Sequence, residues 1–254
     1  MTALLEVRGL TVTYGGVTAV RGASFDVPAG RMVGLIGPNG AGKTSLVDAL
    51  TGYTRPSGGT VLFKGQDITT LAPHRRARVG LARTFQSIEL FDDLTIEENL
   101  AVASQHVGLL GSLRELVSRA LPVDREAVDL ALSTCNLEAV ARRYPAELSH
   151  GQRKLVGVAR ALAQRPSLVL LDEPAAGLDT DESFELGTRL RAMPAYGTSV
   201  LLIDHDMSLV LTVCDEVMVL DFGTLIASAA PAQIRRDPRV IAAYLGSRGD
   251  DDDD

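Results

Sequence analysis

Four short apolar runs punctuate the chain: Met32 to Ile36 (MVGLI), Leu168 to Asp172 (LVLLD), Ser199 to Asp204 (SVLLID) and Glu216 to Leu220 (EVMVL). Uninterrupted runs of this length, bounded by glycine or acidic residues, predict strands buried on both faces. The opening differs. From Leu4 to Val27 apolar and polar residues alternate in short stretches around the turn dipeptide Gly15-Gly16, which predicts antiparallel strands. A helix is expected over Lys43 to Leu50, then a turn-rich stretch around Pro56, Gly58 and Gly59 and a strand over Thr60 to Phe63. From about Leu90 to Gln164 the pattern becomes helical, with Thr95 and Glu98 forming a T-x-x-E capping box ahead of Leu100 and Val102. Helical connections join the later strands. The simplest organisation is an α/β core with a helical block inserted between its halves, and no internal repeat is visible.

Composition narrows the class. A chain of 254 residues buries a substantial core, as one large domain or two closely joined ones. No segment approaches the 18 to 20 uninterrupted apolar residues of a membrane span, and Met1 to Arg8 lacks a signal peptide's apolar stretch, so the chain is expected to stay in the cytoplasm. Cys135 and Cys214 are far apart with no C-x-x-C spacing and read as core thiols, not as a disulfide or a zinc site. The net charge is −7, but five of the negative charges are Asp250 to Asp254, leaving −2 for the rest. The acidic run reads as a solvated, disordered tail, and a near-neutral body gives no support to nucleic-acid binding.

The chemistry begins where the first buried run ends. Gly37 to Thr44 read GPNGAGKT, a full match to G-x-x-x-x-G-K-[ST] between a strand and a helix, the arrangement that cradles nucleotide phosphates. Gly37, Gly40 and Gly42 let the backbone turn and aim N–H groups at phosphate oxygens, around Pro38, Asn39 and Ala41. Lys43 supplies a point charge for the β- and γ-phosphates, Thr44 a hydroxyl for Mg²⁺, and Ser45 a further donor near the α-phosphate. The second run ends in adjacent carboxylates. Asp172 is expected to hold Mg²⁺ through its water shell and Glu173 to polarise a water beside the γ-phosphate. The third run delivers His205 to the same edge, where a γ-phosphate contact is needed. Finally, LSHGQ (Leu148 to Gln152) leads into an amphipathic helix: Ser149 and Gln152 form a capping box that also leaves a helix N-terminus, a hydroxyl and the Gly151 N–H open to an anion.

These motifs, in this order, make the chain resemble the ATP-binding cassette (ABC) family over essentially all but its acidic tail. The resemblance implies a P-loop NTPase core of the ABC type, α/β, with an N-terminal antiparallel β-subdomain and an α-helical subdomain inserted at about residues 88–164. It makes 1–246 one ABC ATPase domain and 247–254 a tail. It implies that Tyr14 stacks on adenine with Val20 beside it, that Gln86 in RTFQ touches Mg²⁺ and the attacking water, and that Asp179 in AGLD communicates across a dimer. Two copies would sandwich two ATP molecules, each site using the phosphate loop of one subunit and Ser149 and Gly151 of the other. One residue departs from the pattern: His150 stands where LSGGQ has its first glycine. A histidine beside phosphate is expected to add a pH dependence to turnover.

Finer motifs, RTFQSIELFDDLTIEENLAVA, EPAAGLD, IDHDM and the terminal AAYLG, resemble the ATPase subunits of high-affinity branched-chain amino-acid importers. That resemblance implies a peripheral subunit on the cytoplasmic side of the inner membrane. Its partners would be permease chains, a second ATPase as homo- or heterodimer, and indirectly an extracytoplasmic substrate-binding protein. Lipopolysaccharide exporters and amide or urea importers carry similar ATPases, and a soluble assembly ATPase of iron–sulfur cluster biogenesis shares the size and motifs. A P-loop small-molecule kinase would need neither LSHGQ nor Glu173 beside Asp172, and a DNA-repair cassette would need long coiled-coil arms that the sequence lacks.

Overall fold

Alternation along the buried strands decides how the layers stack. The chain is represented by a computed structural model that describes residues 3–84, 89–105 and 123–246. Strands β3 (Met32–Ile36), β7 (Leu168–Asp172), β8 (Ser199–Ile203) and β9 (Glu216–Asp221) lie side by side. They form a six-stranded sheet with β6 (Leu81–Arg83) and β10 (Thr224–Ala229), in the order β10-β9-β3-β8-β7-β6. All its pairings are parallel except β9 with β10. Met32, Ile36, Val169, Leu171, Val200, Leu202, Val217 and Val219 face one core, whereas Val33, Leu35, Leu168, Leu170, Leu201, Ile203, Met218 and Leu220 face another. A period of two with both faces apolar requires a cover on each side.

The two covers differ. On one face pack α3 (Ile96–Ser104), α4 (Arg125–Thr134), α5 (His150–Leu162), α6 (Thr180–Leu190) and α7 (Met207–Val213). The first three of these fall in sequence between β6 and β7. Gly34 lets α7 approach β3: a methyl there would stand 2.4 Å from Val210 Cγ1. On the other face lie α1 (Lys43–Thr51) and an antiparallel sheet in the order β2-β1-β4-β5, made of β1 (Ala3–Tyr14), β2 (Val17–Pro28), β4 (Gly58–Phe63) and β5 (Gln66–Asp67). Two short helices, α8 (Pro231–Ile234) and α9 (Pro238–Gly246), follow β10.

The expected strands and the Thr95–Glu98 capping box are present, the box with both of its reciprocal hydrogen bonds. Cys135 and Cys214 are buried free thiols, each pushed up to about 12 by burial. Among the described residues no helix is long and apolar enough to cross a membrane. Arg76, on α2 (Pro73–Arg78), is wholly buried yet has backbone partners throughout. Its guanidinium donates to the carbonyls of Ala49 (2.8 Å) and Leu50 (2.6 Å) at the end of α1, and of Thr69 (2.8 Å) and Leu71 (2.9 Å). The carboxyl end of the α1 dipole thus meets a cation, while burial lowers that cation's pKa to about 10.

Candidate functional site

Register across the large sheet assembles the site. Leu35, Ile203 and Asp172 occupy one row on β3, β8 and β7, so the residues that follow them leave the sheet from a common edge. Those residues are the Gly37 loop, Asp204 with His205, and Glu173. In open parallel sheets this carboxyl-end edge is where ligands sit.

The glycine-rich loop is fixed by close approach as much as by its own turn. Gly42 caps α1 in a left-handed conformation (φ 99°), and a methyl on it would lie 2.3 Å from the carbonyl oxygen of Ala19 on β2. The Ala41 carbonyl accepts from Gly223 N at 2.8 Å, which seats the loop on the β9–β10 turn as well. Lys43 donates to the carbonyls of Gly37 (2.7 Å) and Pro38 (3.0 Å). Partial burial lowers its pKa, opposed by the nearby charges of Glu173, Asp172 and Asp204. The ammonium is therefore held among the acidic groups on a short tether. Thr44 is exposed, and Ser45 half-buried, on the first turn of α1.

The acidic side of the site is buried and only partly neutralised. Asp172 is almost inaccessible, and its Oδ2 accepts no hydrogen bond, though Arg83 Nη2 lies 3.5 Å away. Burial raises its pKa, opposed by Arg83. Its backbone N–H donates to Thr84 Oγ1 at 3.1 Å. Among the described residues no three His, Cys, Asp or Glu side chains converge on a metal. A buried carboxylate oxygen without a hydrogen-bond partner, and an exposed threonine hydroxyl on the first turn of the loop helix, are hard oxygen donors of the kind that suit a hydrated cation.

Glu173 has φ 47°, a conformation side chains with a Cβ rarely adopt, and is locked in it by donation from its N–H to the Ile203 carbonyl at 2.8 Å. His205 Nδ1 stands 3.5 Å from both Glu173 Oε1 and Asp204 Oδ1. His205, Asp221, Phe222, Arg239 and Tyr244 line, with residues 37–41, a cavity of about 830 Å³. Asp172 and Glu173 border a second, of about 640 Å³, together with Arg83, Leu90, Lys154 and Arg160.

The remaining expected residues fall into three groups. Tyr14 is exposed at the end of β1, its hydroxyl 3.1 Å from Thr54 Oγ1, and the Gly42–Ala19 contact brings its hairpin beside the loop. Val20 does not join it. The alternation of β2 turns Val20 fully into the core, so its side chain has no surface to offer a base. Ser149 caps α5, accepting from Gln152 N (3.2 Å) while Gln152 Oε1 accepts from Ser149 N (3.1 Å). Gly151 is buried where a methyl would lie 2.9 Å from Leu178 Cδ2. Asp179 is itself a cap, for α6, in a reciprocal box with Glu182. Gln86 and the acidic tail lie outside the described residues.

The family profile described as ABC transporter matches residues 20–176, more than half of the chain. The chain belongs to the ABC transporter ATPases. A second profile, described as branched-chain amino acid ATP-binding cassette transporter, matches residues 224–250. This ABC ATPase is 40% identical to the high-affinity branched-chain amino acid transport ATP-binding protein BraF of Pseudomonas aeruginosa over 251 residues, 96% of this chain and 98% of that one. It is likewise 40% identical to LivG of Escherichia coli, a protein of the same description, over 252 residues with the same coverage. The crystal structure of the ADP conformation of MJ1267, an ATP-binding cassette of an ABC transporter, superposes with a TM-score of 0.81 at 30% identity, covering 97% of this chain and all of that one. The ABC ATPase is thus the ATP-binding and ATP-hydrolysing subunit of a transporter.

Several side chains at the ABC ATPase site were not legible beforehand. Asp204 is 2% exposed, and burial raises its pKa. Its place directly before His205, at the end of an apolar run, was the available signal. Tyr244 of α9 reaches the loop: burial pushes its phenol up to about 12, opposed by the Gly37 backbone beside it. Arg83 was hidden inside RTFQ, and only the pairing of β6 with β7 brings it to Asp172.

Proposed function

We propose that this subunit energises import of branched-chain or related amino acids across the cytoplasmic membrane. In this reading it works as an ATP-sandwich dimer, peripheral on the cytoplasmic face and docked to permease chains that receive substrate from an extracytoplasmic binding protein. The observation that supports this cargo class is the likeness to BraF and LivG over nearly the whole chain, which extends into the separate match over 224–250. The dimer is supported by the placement of the Ser149 turn. It is exposed at the N-terminus of α5, and among the described residues it lines neither cavity bordering the phosphate loop or Glu173. Its exposed hydroxyl would contact the γ-phosphate held by a second copy, with the backbone of Gly151 behind it.

Within each site, the loop amides and Lys43 hold the β- and γ-phosphates, and Tyr14 stacks on the base. Thr44 and Asp172 would hold Mg²⁺, with Gln86 as a third contributor, and the ion neutralises charge on the phosphate oxygens when bound. Glu173 accepts the proton of the attacking water and orients it in line with the γ-phosphate. His205, held between Glu173 and Asp204, donates toward the transferring group. Asp179 anchors α6 at the subunit boundary.

The test is purification of the Glu173→Gln variant from its native cell with Mg-ATP after mild detergent extraction, followed by mass spectrometry of the chains that accompany it. Polytopic membrane proteins and a second ATPase, with branched-chain amino-acid uptake lost on deletion, are expected. Soluble partners alone would overturn the import reading in favour of an assembly ATPase.

A further inference from the structure

Arg83 closes β6 with a side chain that is 10% exposed and faces two carboxylates from different elements. It pairs closely with Asp48 of α1, donates to Thr51 Oγ1 at 3.3 Å, stands over the Tyr53 ring at 5.7 Å, and has Asp172 Oδ2 at 3.5 Å. The asymmetry is informative. Arg83 is anchored to the helix that begins at the phosphate loop, and it leans on Asp172 mainly by charge, across a long 3.5 Å approach to an oxygen that has no close donor. That oxygen is steered yet left free for a hydrated cation. A planar guanidinium can serve both carboxylates and the ring at once, which a lysine ammonium cannot.

We propose that Arg83 is a positioning residue that orients Asp172 for Mg²⁺ and ties that orientation, through Asp48, to α1 and its phosphate loop. Arg83 touches neither nucleotide nor metal in this scheme. It acts on the carboxylate that does, and so governs the magnesium-dependent part of ATP affinity. The proposal rests on the ATP-site reading above.

The experiment measures ATP binding in EDTA and in Mg²⁺, and Mn²⁺ binding to the nucleotide complex by electron paramagnetic resonance. Both are carried out on the full chain and its Arg83→Gln, Arg83→Lys, Asp48→Asn and double Arg83→Gln/Asp48→Asn variants. Arg83→Gln is expected to keep the EDTA affinity within about twofold while weakening Mn²⁺ about 10- to 100-fold, the range seen when a group orienting a metal ligand is removed. Arg83→Lys should restore part of that loss. Asp48→Asn should move Mn²⁺ affinity the same way by less, and the double variant should be no worse than Arg83→Gln, because both act through one contact. Equal weakening in EDTA and in Mg²⁺, unchanged Mn²⁺ affinity, or additive losses would overturn the proposal. Should Arg83→Gln fail to fold, Asp48→Asn carries the same comparison. Failure of the unaltered chain to bind ATP in either buffer would instead sink the ATP-site reading, and this inference with it.

Discussion

Gly42→Ala tests whether the phosphate loop is held by the β1–β2 hairpin. The added methyl would stand 2.3 Å from the Ala19 carbonyl oxygen, about 1 Å inside ordinary contact. Forcing extra volume into a packed position costs about 1–3 kcal/mol. The backbone at φ 99° adds about 1–2 kcal/mol for a residue with a Cβ. The two costs overlap, since one loop movement relieves both, and a net of about 2–3 kcal/mol corresponds to about 30- to 150-fold in ATP affinity. Gly40→Ala is the control. It has φ 76° but no atom within 4 Å of the added methyl, so only the conformational cost applies, about 1 kcal/mol and about fivefold. Calorimetric titration with Mg-ATP in a Glu173→Gln background reads both affinities. Equal losses for the two substitutions, or a Gly42→Ala variant within about twofold of its parent, would refute the reasoning that packing on Ala19 shapes the loop.

Three other perturbations separate structure from chemistry. Ser149→Ala should cost about 1 kcal/mol of stability through the lost α5 cap, whereas Ser149→Asp keeps a cap but sets a carboxylate against the γ-phosphate. Thermal melts should favour Asp over Ala while turnover is abolished in Asp, and normal turnover in Ser149→Asp would remove Ser149 from the site. Asp204→Asn should stabilise the nucleotide-free chain at neutral pH, because burial opposes the ionised carboxylate. A carboxyl whose folded pKa is raised favours folding below its ordinary value of 3.8 and loses that contribution as pH rises through the folded value. The advantage of the variant should therefore shrink toward zero in acid, and a pH-independent difference in denaturation midpoints would contradict the assignment. Arg76→Met leaves two buried and two partly buried carbonyls without this donor and should destabilise by about 3 kcal/mol, lowering the melting temperature by about 10 °C; a change under 2 °C would mean the guanidinium is dispensable.

What the sequence conveyed, and what it hid, follows from how each residue is specified. Strands buried on both faces announce themselves as apolar runs, and the motif residues sit at the ends of those runs, so Lys43, Asp172, Glu173 and His205 could be assigned to one edge before any coordinates. The antiparallel hairpin was equally legible around Gly15-Gly16. Strand β6 was not, because three residues carry no period, and β10 was not, because TLIASA is too polar to stand out. Val20 was expected beside the base from the family resemblance alone, and its burial on the core side of β2 follows from strand alternation that the resemblance does not convey. Nothing in the local sequence singled out Arg83 or Asp204. The importance of Arg83 comes from long-range pairing with Asp48 and Asp172, and that of Asp204 from its burial beside His205, neither of which its residue type discloses. The capping role of Asp179 was visible in DTDE once read as a box with Glu182.

Phosphate release by the Glu173→Gln variant, measured alongside its ATP occupancy, tests the central claim most directly. The account predicts turnover lowered by about 10²- to 10⁴-fold with ATP still bound, since the amide cannot accept the water's proton while the loop, Lys43 and Asp172 are untouched. Near-normal turnover would contradict it, and would remove Glu173 from the chemistry that the strained backbone and the His205 contact assign to it.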